Sequence, residues 1–111
     1  MRHVRSAALL ASLTLAVALA GPARAHAQDR NLARNLAAQC FNCHGTDGRA
    51  QSGMPPLAGR PKDEIVRAMA EFKSGERGGE RGTLMPQLAK GYSDEQIALM
   101  ADYFSRQKSA Q

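Results

Sequence analysis

The sequence has no tryptophan, and aromatic residues make up only 5% of its 111 positions. A domain this small buries a modest share of its surface, so a core with so few large rings needs a cofactor or a covalent staple. Cysteine is just as scarce, with two in the whole chain. Two thiols allow one disulfide at most, and they fall short of the roughly four Cys/His ligands of a structural zinc site. Histidine is confined to His3, His26 and His44. No alternating apolar run argues for a strand, and beyond the first twenty or so residues no apolar run is long enough to span a membrane. Excess charge is also missing once the N-terminal region is set aside. The formal net charge of +5 becomes +2 when Arg2, Arg5 and Arg24 are removed with no acid lost. The basic precursor therefore gives no ground for a nucleic-acid partner.

Both cysteines fall in one motif, Cys40-Phe41-Asn42-Cys43-His44. Cys-x-x-Cys-His is the attachment signature of c-type haem. Thiols three positions apart lie on one side of a helical turn and reach two vinyl groups of the same porphyrin. The following histidine then supplies an axial nitrogen to the iron. A thioredoxin-type dithiol would sit beside a strand-helix-strand pattern, which is absent. A zinc site would need a second ligand pair, also absent. The reading is one covalently attached haem c held by Cys40, Cys43 and His44.

Residues 1–27 read as a secretory signal peptide. Arg2, His3 and Arg5 give the positive start, Ala7 to Ala20 the apolar stretch, and Ala23, Ala25 and Ala27 the small residues of A-x-A cleavage sites. Ala23-Arg24-Ala25 and Ala25-His26-Ala27 both fit. The apolar stretch is shorter than the ~20 residues of a spanning helix, and Gly21-Pro22 closes it. The expectation is an exported, periplasmic domain over residues 28–111 with no membrane span after cleavage.

Three amphipathic segments predict an all-α domain. The first runs from about Asp29 to Gln39, with Leu32 and Leu36 four apart beside Ala33 and Ala37. The second starts near Pro61, carries Asp63 and Glu64 in its first turn, repeats through Ile65, Met69 and Phe72, and stops at Gly75. The third opens on a capping box of Ser93 and Gln96, then runs through Ile97, Met100, Ala101 and Phe104. Between the second and third, Gly75 to Gly82 interleaves glycine with arginine and glutamate, an arrangement expected of a polar loop crossing the haem rather than an RNA-binding segment. Arg77 or Arg81 within it is placed to meet a haem propionate or a partner.

With His44 on one face of the iron, the other axial position falls to methionine or stays open, because no other histidine remains except a terminal His26. Met69 and Met100 sit in helical stripes and read as core. Met54 follows His44 closely, in a turn expected on the histidine side. Met85, in Thr83-Leu84-Met85-Pro86, lies outside any periodic pattern on a stretch able to wrap to the far face, and is the expected ligand. Pro55-Pro56-Leu57-Ala58-Gly59 presents carbonyls without competing amides, which suits either an acceptor for the ligand histidine's second N–H or an ordinary rigid turn.

These motifs resemble the class I cytochromes c of bacteria across the whole mature chain. The matching stretches are Cys40–Gly45, Pro55–Gly59, Phe72-Lys73-Ser74-Gly75, and Met85-Pro86 followed by Leu88 to Ile97. The ending is similar to cytochromes of the c4 and c553 type and to the haem subunit of flavocytochrome c sulfide dehydrogenases. The resemblance implies three or more helices around one haem, the first and last crossing near Ala33, Ala37, Tyr103 and Phe104. It also implies a carbonyl at Pro55 for the haem histidine and a pocket leucine at Leu57. A c4 protein has two haem domains and this chain has one motif. The function expected is a monohaem electron carrier, not an enzyme, working with a flavoprotein dehydrogenase, an oxidase or another cytochrome. A fixed haem subunit of a sulfide dehydrogenase, and an open-site haem enzyme or gas sensor, are the alternatives.

Overall fold

The computed structural model describes residues 22–50, 53–78 and 84–109. The charged start and apolar stretch of the expected signal peptide, and residues 79–83 of the polar loop, lie outside the described residues. The chain divides at Arg30 into two compact units, and everything that follows belongs to Asn31–Gln111, apart from the start of the first helix. Among the described residues every element is helical and none is a strand.

Helix α1 spans Pro22–Ala37. It begins well before the expected Asp29, because Ala23, Ala25 and Ala27 are strong helix formers that extend the leucine-marked segment upstream. Its buried positions are Ala33 and Ala37, 2% and 0% exposed. A 3-10 turn, Ala38–Cys40, leads into the short α2, Phe41–His44, and a second 3-10 turn covers Thr46–Gly48. Helix α3, Lys62–Ser74, carries Asp63 and Glu64 in its first turn and Lys73 in its last, charges that complement its dipole. Gly75 closes α3 in the left-handed conformation.

Helix α4, Leu84–Lys90, has no counterpart among the expected helices. Pro86 falls in its first turn, where a missing N–H has no intrahelical partner to lose. Met85 is therefore the second residue of a helix, not a loop residue. Helix α5, Asp94–Ser105, starts on the expected capping box: the Gln96 N–H donates to Ser93 Oγ at 3.2 Å, and the Ser93 N–H donates to Gln96 Oε1 at 2.9 Å.

One buried cluster joins α1, α3 and α5: Ala37, Ile65, Ile97, Met100, Ala101 and Phe104. Phe104 is its largest fully buried side chain, at 1% exposure, and burying a ring of that size contributes about 2 kcal/mol. Phe41, Tyr103 and Phe104 meet with centroids 5.5 to 6.3 Å apart, so the middle of the Cys motif packs onto the last helix. Lys73 Nζ donates to the Tyr92 carbonyl and to Asp94 Oδ1, both at 2.9 Å, joining the end of α3 to the start of α5.

Candidate functional site

The Cys motif folds as one continuous turn from the 3-10 segment into α2, which places Cys40 half-buried and Cys43 exposed, both with free thiols. Burial, with the neighbouring Cys43 thiol adding to it, pushes the Cys40 thiol up from its ordinary range. His44 is 8% exposed, the one buried polar side chain among the described residues. Its Nδ1 lies 2.8 Å from the Pro55 carbonyl. A carbonyl only accepts, so the Nδ1–H donates, and Nε2 is left as the ring nitrogen with an available lone pair.

The Pro55 carbonyl is fixed by bonds a few residues on. The N–H groups of Leu57 and Ala58 both donate to the Gly48 carbonyl, at 2.9 and 3.1 Å, and the Gly59 N–H donates to the Phe104 carbonyl at 2.9 Å. Gly48 has φ +79°, and a Cβ there would stand 2.8 Å from Phe104 Cδ1 and 2.9 Å from the Ala58 nitrogen. Only glycine allows the turn after the motif to come this close to α5 and to the proline loop. A backbone frame anchored on α5 thus sets the orientation of the imidazole.

Two adjoining cavities of about 350 Å³ each open beside His44. Cys40, His44, Met54, Met69 and Met85 border both. The first cavity adds Pro55, Leu57, Phe72, Ile97 and Phe104, with Arg60, Glu64 and Arg77 as its charged groups. The second adds Gln39, Cys43, Leu84, Leu88 and Tyr92, and carries no charged side chain. All six residues expected at the site are therefore brought together: Cys40, His44, Met85, Pro55 and Leu57 around the first cavity, with Cys43 at the second. Burial, with Cys40 adding to it, raises the Tyr92 phenol.

The residues fit a flat apolar group anchored at one end. The walls are thioether, aliphatic and aromatic, two free thiols stand on one side, and a buried imidazole presents a basic nitrogen. Among the described residues no three or more His, Cys, Asp or Glu side chains gather as a metal cage.

The methionines separate less cleanly than their spacing suggests. Met100 is core, 3% exposed, and also borders the first cavity. Met69 packs against the core cluster and also borders both cavities. Met54, 41% exposed, adjoins the proline whose carbonyl accepts the His44 hydrogen bond. Met85, half-buried, comes from α4. Arg60, Glu64 and Phe72 were not among the expected site residues. The clue to them was position: Arg60 follows the proline loop directly, and Glu64, Ala68 and Phe72 continue one face of α3.

Residues 27–104 match the family described as cytochrome c oxidase, cbb3-type, subunit III. The chain is 42% identical over 69 residues to the cytochrome subunit of sulfide dehydrogenase of Chlorobaculum tepidum, covering 62% of this chain and 60% of that protein. It is 39% identical over 69 residues to cytochrome c-553 of Nitratidesulfovibrio vulgaris, covering 60% of this chain and 68% of the relative. Against cytochrome c4 of Pseudomonas aeruginosa it is 37% identical over 101 residues, which is 90% of this chain and 48% of that one. The chain thus spans less than two thirds of the sulfide dehydrogenase subunit and about half of the c4 protein.

Proposed function

Because the chain belongs to this cytochrome c family and its cofactor is covalently bound haem c, we propose that it is a periplasmic monohaem carrier of single electrons. The observation that carries the reading is the pairing of His44 with Pro55 at 2.8 Å beside two cysteines not joined to each other and two adjoining apolar cavities. Bound there, haem supplies an iron that cycles between Fe(III) and Fe(II). Cys40 and Cys43 would hold the group by thioether bonds, His44 Nε2 would bind the iron, and the Pro55 carbonyl would keep the imidazole oriented. Met85 would supply a second ligand to the iron, and its soft sulfur would favour the reduced state. Leu57 excludes water beside His44. Two side-chain ligands would leave the iron no coordination position for a substrate, which supports a carrier over an enzyme.

Met54, Leu84 and Leu88, exposed at 41%, 59% and 46%, ring the edge where Cys43 lies. An apolar rim of this kind suits a small, transient contact with a redox partner such as a flavoprotein dehydrogenase, an oxidase or another cytochrome. Export is supported by the leader pattern of residues 1–27, and no described helix is long and apolar enough to cross a membrane. The likeness to a protein named as the cytochrome subunit of sulfide dehydrogenase favours a second reading, a haem subunit held in a stable complex.

Covalent attachment is the deciding experiment. Haem is expected to stay with the polypeptide through denaturation and acid-organic extraction, and Cys40→Ser or Cys43→Ser to leave one thioether or no stable holoprotein. Haem that extracts freely from the native chain overturns the reading. A stoichiometric complex that survives gel filtration at high salt would favour the subunit over the free carrier.

A further inference from the structure

We infer that Asp47 is a positioning residue for the haem-binding histidine: its side chain ties the turn after the Cys motif to α5, and through that turn sets the His44–Pro55 hydrogen bond and the potential of the iron; this rests on the haem reading above. Asp47 has φ +56°, the one positive φ outside glycine among the described residues. A glycine would adopt that backbone without strain. An aspartate takes on strain there, and what the position gains is a carboxylate. Its Oδ1 accepts from the Tyr103 phenol of α5. Its Oδ2 accepts from the Arg49 guanidinium at 3.2 Å, and Arg49 Nε donates in turn to the Lys108 carbonyl at 3.1 Å. The side-chain ties between this turn and the last part of the chain meet at Asp47.

From Asp47 the path to His44 is short. Gly48 follows directly, and its carbonyl accepts the Leu57 and Ala58 N–H groups at 2.9 and 3.1 Å. Those residues close the loop that begins at Pro55, whose carbonyl accepts the His44 Nδ1–H at 2.8 Å. At the end of the same loop the Gly59 N–H donates to the Phe104 carbonyl at 2.9 Å, next to Tyr103 in α5. The contacts form a closed frame that leaves α5 at Tyr103, passes through Asp47, Gly48 and the proline loop, and returns to α5 at Phe104. Its Leu57, Ala58 and Gly59 bonds join backbone to backbone and do not depend on side-chain identity. The Tyr103–Asp47 bond joins side chain to side chain, so it is the hydrogen bond through which the sequence tightens or slackens the frame. Slack at Pro55 weakens the bond to His44, makes its imidazole a poorer donor to iron, and so raises the potential.

The test uses the haem-loaded, reduced protein and two readouts. One is hydrogen exchange at the His44 Nδ1–H and the Leu57 and Ala58 amides, measured against the Met100 and Ala101 amides of α5. The other is the midpoint potential at fixed pH and ionic strength. Tyr103→Phe is expected to speed exchange at the three loop groups by about tenfold more than in α5, and to raise the potential with the Asp47 charge still in place. Asp47→Gly, which suits the positive φ, should do the same. The double variant should exceed neither single change in exchange, since both remove one bond. Asp47→Asn keeps an oxygen able to accept from Tyr103 and should retain native exchange. Acceleration equal in the loop and in α5, or none at the three groups, overturns the assignment. A potential that rises in Asp47→Gly and Asp47→Asn but not in Tyr103→Phe is loss of a nearby negative charge, and overturns it as well. A native chain that carries no haem instead overturns the function from which the inference starts.

Discussion

His44 donates its Nδ1–H in a hydrogen bond to the Pro55 carbonyl across 2.8 Å, eleven residues along the chain. The acceptor is backbone, so a side-chain substitution at Pro55 cannot remove it and can only release the loop that aims it. Pro55→Ala is expected to keep the haem and to lower holoprotein stability by about 0.4–1 kcal/mol in a denaturant titration, through the added freedom of the unfolded chain. A looser hydrogen bond makes the imidazole a weaker donor to iron, so the midpoint potential should rise slightly. A clear fall in potential would count against the histidine-proline pairing as a tuning contact.

Gly48 supports that pairing from behind. Its carbonyl receives the Leu57 and Ala58 amides, and its missing side chain leaves room for Phe104. Gly48→Ala combines a strained left-handed backbone with a contact too close to relax cheaply, and is expected to remove about 2–4 kcal/mol. Gly53 also has positive φ, +84°, but nothing within 4 Å of a built Cβ. Gly53→Ala should therefore lose only the strain, about 1 kcal/mol. Equal losses in the two variants, measured side by side by denaturation, would show that the close approach to Phe104 contributes nothing.

How much of this was readable beforehand follows from the range of each interaction. The capping box at Ser93, the stop at Gly75 and the apolar face of α5 are local patterns, and all three were legible in the chain. The Cys motif carried its chemistry in five consecutive residues. Helix α4 was not legible, because Leu84 and Leu88 are too short a stripe to stand out beside Pro86. The role of Gly48 was hidden for a different reason: its constraint comes from Phe104, fifty-six residues away in sequence. Met69 packs in the core as its spacing predicts, but helical spacing alone cannot show that the same side chain also walls a cavity.

Tyr103 and Asp47 join the turn after the motif to α5, the phenol donating to the carboxylate. Burial first, and then the Asp47 hydrogen bond and charge, raise the Tyr103 phenol above its ordinary value of 10.0. A raised value in the folded state means that folding favours the protonated phenol. Its contribution is fully present below pH 10 and is lost as pH rises through the elevated value. Native stability is therefore expected to decline on the alkaline side, with a smaller decline in Tyr103→Phe. That variant should be less stable at neutral pH by about 1–2 kcal/mol for the lost bond to a charged acceptor, since Asp47 keeps Arg49 at 3.2 Å. Superimposable pH–stability curves for the two proteins would show that this contact is not what titrates.

The axial methionine is decided by which sulfur can face His44 across the group between them. Met54, Met69 and Met85 all border both cavities. Met54 is next to Pro55, whose carbonyl holds the histidine ring, so it approaches from the histidine side. Met69 is tied to the core cluster through α3. Met85 arrives on a separate short helix whose other neighbours at the cavity, Leu84 and Leu88, are exposed. If Met85 ligates, the oxidised protein shows the weak near-infrared sulfur-to-iron band, and Met85→Ala abolishes it. The same change lowers the potential and opens the iron to cyanide and carbon monoxide, because a soft ligand favouring Fe(II) has gone. Met54→Ala and Met69→Ala should leave the band in place, although Met69→Ala is expected to lower stability by about 2–3 kcal/mol through lost packing. A band that survives in Met85→Ala and vanishes in either of the other two transfers the ligand role to that residue. A native protein without the band that binds carbon monoxide readily would instead be an open-site haem protein.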